Sequence, residues 1–501
     1  MLHSVEAYSV KERPRRLDRG LERDALPIAR LHRSLGVVDV ALFIIVAGSN
    51  LQWITTAAEA GPSSLSVWII GCLTMFGPIS IAVVHLSSHY PEEGGLYVWS
   101  KRAFGPFAGF ITGWTYWTSN LPYFPALLYF AAGNALYVTG NSGGALATSP
   151  GFFIAVALGG LIIGTTVNVL GLGVGKWLNN IGAISRWTAT LLLLVLGTLA
   201  WLRFGPATRI DAATIRPAFA LKDLVFWSVI AFAWVGPEAI SFMAGEIKEP
   251  RRSIPLGLGI AAPAIAAIYL LGTASVLAVL APSDVNASSG VMQTVARAST
   301  RLGWPALTPV GAVLVALSCL GSVGAWLGAA ARIPFVAGVD RYLPERFGRI
   351  HPRYGSPVAA LLVQSGIAAV FIFLGQGGTT VKGAYDVLVS TTVVITLLPF
   401  LFLFASAIRL NPDAPRLGIV RIPGGRRTVA AASAIGFATT LSAIGLAFVP
   451  AADDPNKLLT LAKIIGMTML TVGSGVALFV SAQRRQRGTL GAARDGPKTQ
   501  I

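Results

Sequence analysis

Apolar residues run in long unbroken blocks along this chain, with polar positions gathered between them. Twelve blocks stand near residues 35–60, 66–90, 105–133, 150–170, 178–203, 221–246, 255–281, 306–333, 357–376, 384–410, 429–450 and 458–482. A helix rises 1.5 Å per residue, so about 20 apolar residues cross a hydrocarbon core of about 30 Å. The pattern predicts an all-α, polytopic membrane protein with twelve transmembrane helices. Its expected organisation is a basic tail (1–34), a ten-helix core (35–410), a loop (411–428), two further helices (429–482) and a second basic tail (483–501).

Composition agrees with the pattern. Only 12% of the residues are charged and 54% are hydrophobic, against about 25% charged in soluble globular chains. The net charge of +17 first suggests a nucleic-acid partner, but its distribution argues otherwise. With the N-terminus inside, 29 of the 39 Lys and Arg fall in tails, loops and span edges on that one side. This is the positive-inside asymmetry, and it predicts a plasma-membrane protein with both termini cytoplasmic. The basic surface then faces anionic lipid, and no nucleic acid is expected. The first 34 residues lack the apolar core of a signal peptide. Cys72 and Cys319 fall within spans, away from any disulfide framework. No phosphate-binding loop, zinc spacing or nucleophile elbow is present, so neither an enzyme nor a cofactor or metal is expected.

Irregularity inside the blocks carries the chemistry. Broken backbone at membrane depth is tolerated only beside protein or a water-filled cavity. The first block carries small and polar residues at its centre, Ala47-Gly48-Ser49-Asn50. The sixth reads Phe232-Ala233-Trp234-Val235-Gly236-Pro237-Glu238, where Pro237 lacks an N–H and Gly236 eases unwinding. Glycine and proline alone also produce simple kinks. Two breaks five spans apart, however, are the sequence pointer to a transporter binding site. Unwinding frees N–H groups that hold a carboxylate, expected from Ala47, Gly48 and Ser49. It also frees carbonyls that hold an ammonium group, expected from Phe232, Ala233 and Val235.

Four stretches resemble the amino acid–polyamine–organocation superfamily over nearly the whole chain. They are Ala47-Gly48-Ser49; Pro91-Glu92-Glu93-Gly94-Gly95-Leu96-Tyr97-Val98-Trp99 with Phe104-Gly105-Pro106; Phe232 to Glu238 followed by Gly245 to Pro255; and Gly321-Ser322-Val323-Gly324-Ala325-Trp326. The second is similar to glutamate/GABA exchangers and plant polyamine permeases, the fourth to arginine/agmatine exchangers. The resemblance implies a leucine-transporter-type five-plus-five inverted repeat, with discontinuous helices 1 and 6 framing the substrate. No residue-by-residue repeat is visible in the chain itself. Ala47 and Ser49 stand where the family usually has glycine, which reshapes the carboxylate site.

The resemblance also assigns roles. Glu238 is similar to a pH-sensing, gating glutamate; its structural alternative is a cap on the freed amides. Arg186 falls where many members place a Lys, in the region that sodium occupies in sodium-coupled relatives. There it is a fixed cation, or else a charge paired near a helix end. Trp326 is similar to a substrate-stacking Trp, Asn120 to a substrate-contacting Asn, and Phe232 to an aromatic gate. Their alternatives are interhelical packing, an interhelical hydrogen bond and plain core. Gly236 completes the expected site. Among lesser features, Asp39 and Glu59 are expected to be solvated, residues 291–302 to form a short amphipathic outer helix, and Ser390, Thr391 and Thr392 to face the cavity. The reading is a secondary-active permease or antiporter of amino acids, working by alternating access. The alternatives are a polyamine or organic-cation permease on the same fold and, more remotely, a non-transporting membrane receptor or enzyme. Partners are a small-molecule substrate, membrane lipid and, as an option, further copies in a homo-oligomer.

Overall fold

The computed structural model describes residues 35–90, 94–139, 144–331, 342–343, 347, 349–410, 420, 422–452 and 454–494. The predicted N-terminal tail, residues 411–419 and 421 of the predicted 411–428 loop, and Pro91, Glu92 and Glu93 lie outside them.

The described chain is a helical bundle: α1 (Val37–Gly48) and α2 (Leu51–Glu59), α3 (Ser63–His89), α4 (Gly95–Phe104), α5 (Pro106–Thr118), α6 (Asn120–Ala135), α7 (Pro150–Val169), α8 (Leu172–Phe204), α9 (Leu221–Ala233), α10 (Pro250–Val279), α11 (Gly290–Leu302), α12 (Leu307–Ala330), α13 (Val358–Gln376), α14 (Val381–Arg409), α15 (Gly425–Ala447) and α16 (Lys457–Arg494). Among the described residues the extended pairing is a single bridge, Leu35 with Ile247, closed by Lys248 N–H to Leu35 O at 2.8 Å.

Among the described residues, ten segments are long and apolar enough to cross a membrane, and α1 with α2, bent by 47°, makes an eleventh. The third predicted span takes a different form. It is built from α5 and α6, of 13 and 16 residues, which meet at Ser119. Pro125 inside α6 withholds an amide from the ladder. Two other features were not anticipated. The loop after α3 contains the ten-residue α4, and the last helix runs on to Arg494, past 482. Within α3, residues Cys72–Phe76 form a π-helical turn, and Met75 Sδ there accepts from Thr440 Oγ on α15 at 3.6 Å. The expected amphipathic segment is α11, with Val291, Met292, Val295 and Leu302 buried and Arg297 and Arg301 exposed.

Apolar side chains fill the interior and also cover much of the outer surface, as lipid demands, while a set of polar residues is buried among the helices. Leu42, Ile162, Ile184, Leu202 and Leu441 point outwards, whereas Gln52, Thr55, Asn134, Glu238 and Thr392 are buried. Small residues let helices approach closely enough for dispersion to hold them. Where α8 crosses α12, a Cβ on Gly321 would collide with the Gly182 Cα.

Candidate substrate site

Both predicted breaks exist, and they touch. In the first, Ser49 (φ −121°, ψ 120°) and Asn50 (φ −136°, ψ 136°) are extended between α1 and α2. Ser49 Oγ donates to Ile45 O at 2.6 Å, diverting a hydroxyl onto the last turn of α1. The remaining loose carbonyls are taken by side chains from elsewhere. Arg186 on α8 donates through Nη1 to Val46 O at 2.8 Å and Ser49 O at 3.0 Å, and through Nη2 to Ser322 Oγ on α12. Tyr269 on α10 donates to Gly48 O at 2.7 Å. The partners of Arg186 are backbone carbonyls and a hydroxyl, the demands of an unwound helix end.

In the sixth span, α9 stops at Ala233 and the chain turns through Gly236 at φ 144°, a region that L side chains rarely adopt. It continues as 3₁₀ turns over Pro237–Glu246. Here two of the loose amides are met locally. Val235 N–H donates to Phe232 O at 2.9 Å, and Gly236 N–H to Glu238 Oε2 at 2.8 Å. Tyr116 on α5 donates to Glu238 Oε1 at 3.2 Å. The Glu238 carboxylate therefore caps its own break. The two breaks pass backbone against backbone: a Cβ on Gly236 would stand 3.2 Å from both Cα and N of Gly48.

A cavity of about 80 Å³ opens where they meet. The first break lines it with Ala47, Asn50 and Trp53; α5, α6 and their junction with Tyr116, Ser119, Asn120 and Tyr123; the sixth break with Phe232, Ala233, Val235, Gly236 and Glu238; α12 with Trp326 and α14 with Thr392 and Thr396. Of the predicted site residues, Gly48, Ser49 and Arg186 stand outside this lining, and Ser49 and Arg186 line a separate crevice behind the first break. Asn120 spends its amide on Tyr116 O and Trp117 O, at 3.3 and 3.1 Å, closing the end of α5. The sequence reading missed Asn50, Trp53, Tyr116, Ser119, Tyr123 and Thr396. A signal existed: Tyr116, Ser119, Asn120 and Tyr123 recur at i, i+3, i+4 and i+7, a polar stripe that runs beside the threonines at 112, 115 and 118.

Trp53 and Phe232 meet edge to face across one end of the cavity, with ring centroids 5.2 Å apart. One turn beyond each, Thr56 and Val229 line a second cavity of about 550 Å³, with Glu59, Asp284, Asp386, Asp454 and Lys382 on its walls. Glu59 is not merely solvated, as expected, but pairs with Lys382 at 3.2 Å. The helix α2 carries it inward, where a partner offsets the loss of water. The aromatic pair thus stands between a small inner cavity and a wide polar vestibule.

Sequence comparisons agree with this geometry. The amino acid permease family profile matches residues 34–473. An uncharacterized transporter of Legionella pneumophila is 31% identical, over 84% of this chain and 91% of its own length. A probable agmatine/putrescine antiporter of Lactococcus lactis is 26% identical over 72% of this chain and 76% of its own. An uncharacterized transporter of Mycobacterium bovis is 25% identical over 68% and 73%. With two crossing breaks, a cavity between them and these relatives, the chain belongs to the amino acid permease family of the amino acid–polyamine–organocation superfamily.

Proposed function

We propose that this permease is a secondary-active transporter that carries an amino acid across the plasma membrane by alternating access. The observation that carries the reading is the contact of the two unwound segments at Gly48 and Gly236 beside a small cavity. The helix α2 begins at the cavity, so its first N–H groups, with the positive end of its dipole, suit a carboxylate. The Val235 carbonyl and the Glu238 carboxylate suit the ammonium end. Trp326 stacks on the side chain, and Asn120 fixes one wall. Substrate enters from the vestibule, Trp53 and Phe232 close behind it, and the bundle rocks to release it on the other side. Twelve spans follow if α1 with α2, and α5 with α6, each make one crossing. The five-plus-five repeat is supported by the position of the breaks in the first and sixth spans. The basic N-terminal side supports cytoplasmic termini, so the vestibule faces outwards.

Arg186 is a permanent cation on the carbonyls of the first break, where a releasable ion would otherwise be useful. This favours exchange or uniport over proton symport through that residue. Glu238 is then the group that senses protons and gates release.

A second reading has its own support. Among the described residues, Glu238 is the one charged residue lining the cavity, and four carboxylates against one lysine line the vestibule. This is a field that attracts cations. The Lactococcus relative is a probable agmatine/putrescine antiporter. An organic amine is therefore the alternative substrate. Uptake into proteoliposomes decides between them. Labelled amino acids accumulating while putrescine does not supports the first reading, the reverse supports the second, and movement of neither overturns both.

A further inference from the structure

The residue that joins the two breaks belongs to neither. The 30-residue helix α10 lies along both halves of the broken first span. Its Gly257 meets Val40 on α1, Ile265 meets Gly48 at the break, and Gly272 meets Ile54 on α2. Tyr269, fully buried, sits on this face level with the break. Its ring cannot swing. It stacks on Trp68 of α3 at 4.1 Å and 6°, and meets the edge of Trp234 from the sixth-span break at 5.7 Å and 82°. Trp68 is itself held by Nε1 donating to Thr273 Oγ at 3.0 Å, one turn along α10.

A hydroxyl on so fixed a ring has one place to be, and there it meets three backbone groups. It lies 2.7 Å from Gly48 O, 3.3 Å from Ala233 O, and accepts from Asn50 N–H at 3.3 Å. Gly48 and Asn50 belong to the first break and Ala233 to the sixth. A phenol has one proton to donate. The distances give it to Gly48 here and leave Ala233 as the second acceptor, reached by rotation about the C–O bond alone.

We propose that Tyr269 is a positioning residue that latches the two breaks together, its hydroxyl turning from the Gly48 carbonyl to the Ala233 carbonyl as the sixth-span break shifts during the cycle. The latch keeps the cavity walls in register whichever side is open. Its kinetic consequence rests on the transport reading; its structural consequence does not.

Tyr269→Phe keeps the ring and both aromatic contacts and removes only the hydroxyl. Amide hydrogen exchange in peptides covering both breaks should rise about tenfold, because orphaned buried backbone groups favour local opening. In proteoliposomes KM should rise about tenfold with kcat changed less, since the binding-competent register is populated less. Thr273→Val, which loosens Trp68 but leaves the hydroxyl in place, should raise both quantities less than Tyr269→Phe does. Wild-type exchange at both breaks in Tyr269→Phe overturns the latch, as does an unchanged KM in a protein that transports. If wild type transports nothing tested, the transport reading fails while exchange still decides on the latch. Should Tyr269→Phe not fold, 3-fluorotyrosine at 269, a weaker acceptor, should raise exchange at Asn50, and unchanged exchange there overturns the proposal.

Discussion

At the first break the loose carbonyls of Val46, Gly48 and Ser49 are held by Arg186 and Tyr269, side chains that reach in from α8 and α10. At the sixth, the Gly236 amide is held by a carboxylate two residues away on the same strand of chain. The first arrangement is a permanent positive charge on acceptors. The second is a titratable negative charge on a donor. Arginine stays charged at every accessible pH, whereas a carboxylate exchanges its proton and its hydrogen-bonding role together. The comparison teaches that one break is held by a charge that does not titrate and the other by one that does, so proton sensitivity, on the proposed function, is expected at the sixth.

Arg186→Leu strips two carbonyls and Ser322 of their donor in one step. The largest loss is expected here, roughly a hundredfold in uptake and about 3 kcal/mol in stability, read by proteoliposome flux and thermal unfolding. If uptake survives, the first break does not need its pin. Gly236→Ala asks whether the adjustable break tolerates a side chain. The positive φ and the contact with Gly48 together should cost about 2 kcal/mol, seen as a lower melting temperature. Trp326→Ala removes the α12 aromatic from the cavity lining and should weaken substrate binding about tenfold in a titration; an unchanged affinity would make it a packing residue. Glu238→Gln should leave the rate near its optimum within about a few-fold but flatten the dependence on pH. A fully retained pH profile would move the sensor elsewhere and end the contrast between the breaks. The smallest effect is expected from Lys382→Gln at the vestibule rim. The Glu59–Lys382 pair is partly solvated, so its loss should change stability by less than about 1 kcal/mol.

The spans and both breaks were legible because glycine, proline and small polar residues interrupt otherwise apolar blocks. Glu238, Phe232 and Trp326 were legible from the motifs around them. Arg186 was recognised as a fixed cation, but its partners were not, since a carbonyl of Val46 leaves no mark in the identity of residue 46. Tyr269 escaped for the same reason. Its hydroxyl meets backbone groups 221 and 36 residues away, and nothing in α10 distinguishes it from an interfacial tyrosine. The stripe from Tyr116 to Tyr123 was readable but hidden by the kink at Ser119, which splits one span into two helices. The Glu59–Lys382 pair depends on how α2 leans after a 47° bend, which no local pattern encodes.

The π-helical turn at Cys72–Phe76 has a consequence for how the bundle tolerates length changes. Such a turn accommodates one surplus residue in a helix that otherwise advances about 100° per residue. Upstream of it Trp68 lies against Tyr269, and at its end Met75 meets Thr440 on α15. Deleting one residue between 72 and 76 would give a straighter, individually better helix, yet would swing these two contacts out of phase by roughly a quarter turn. Regularity and fit are thus opposed in α3, and a shortened version should fold into a bundle whose centre and periphery can no longer both be seated.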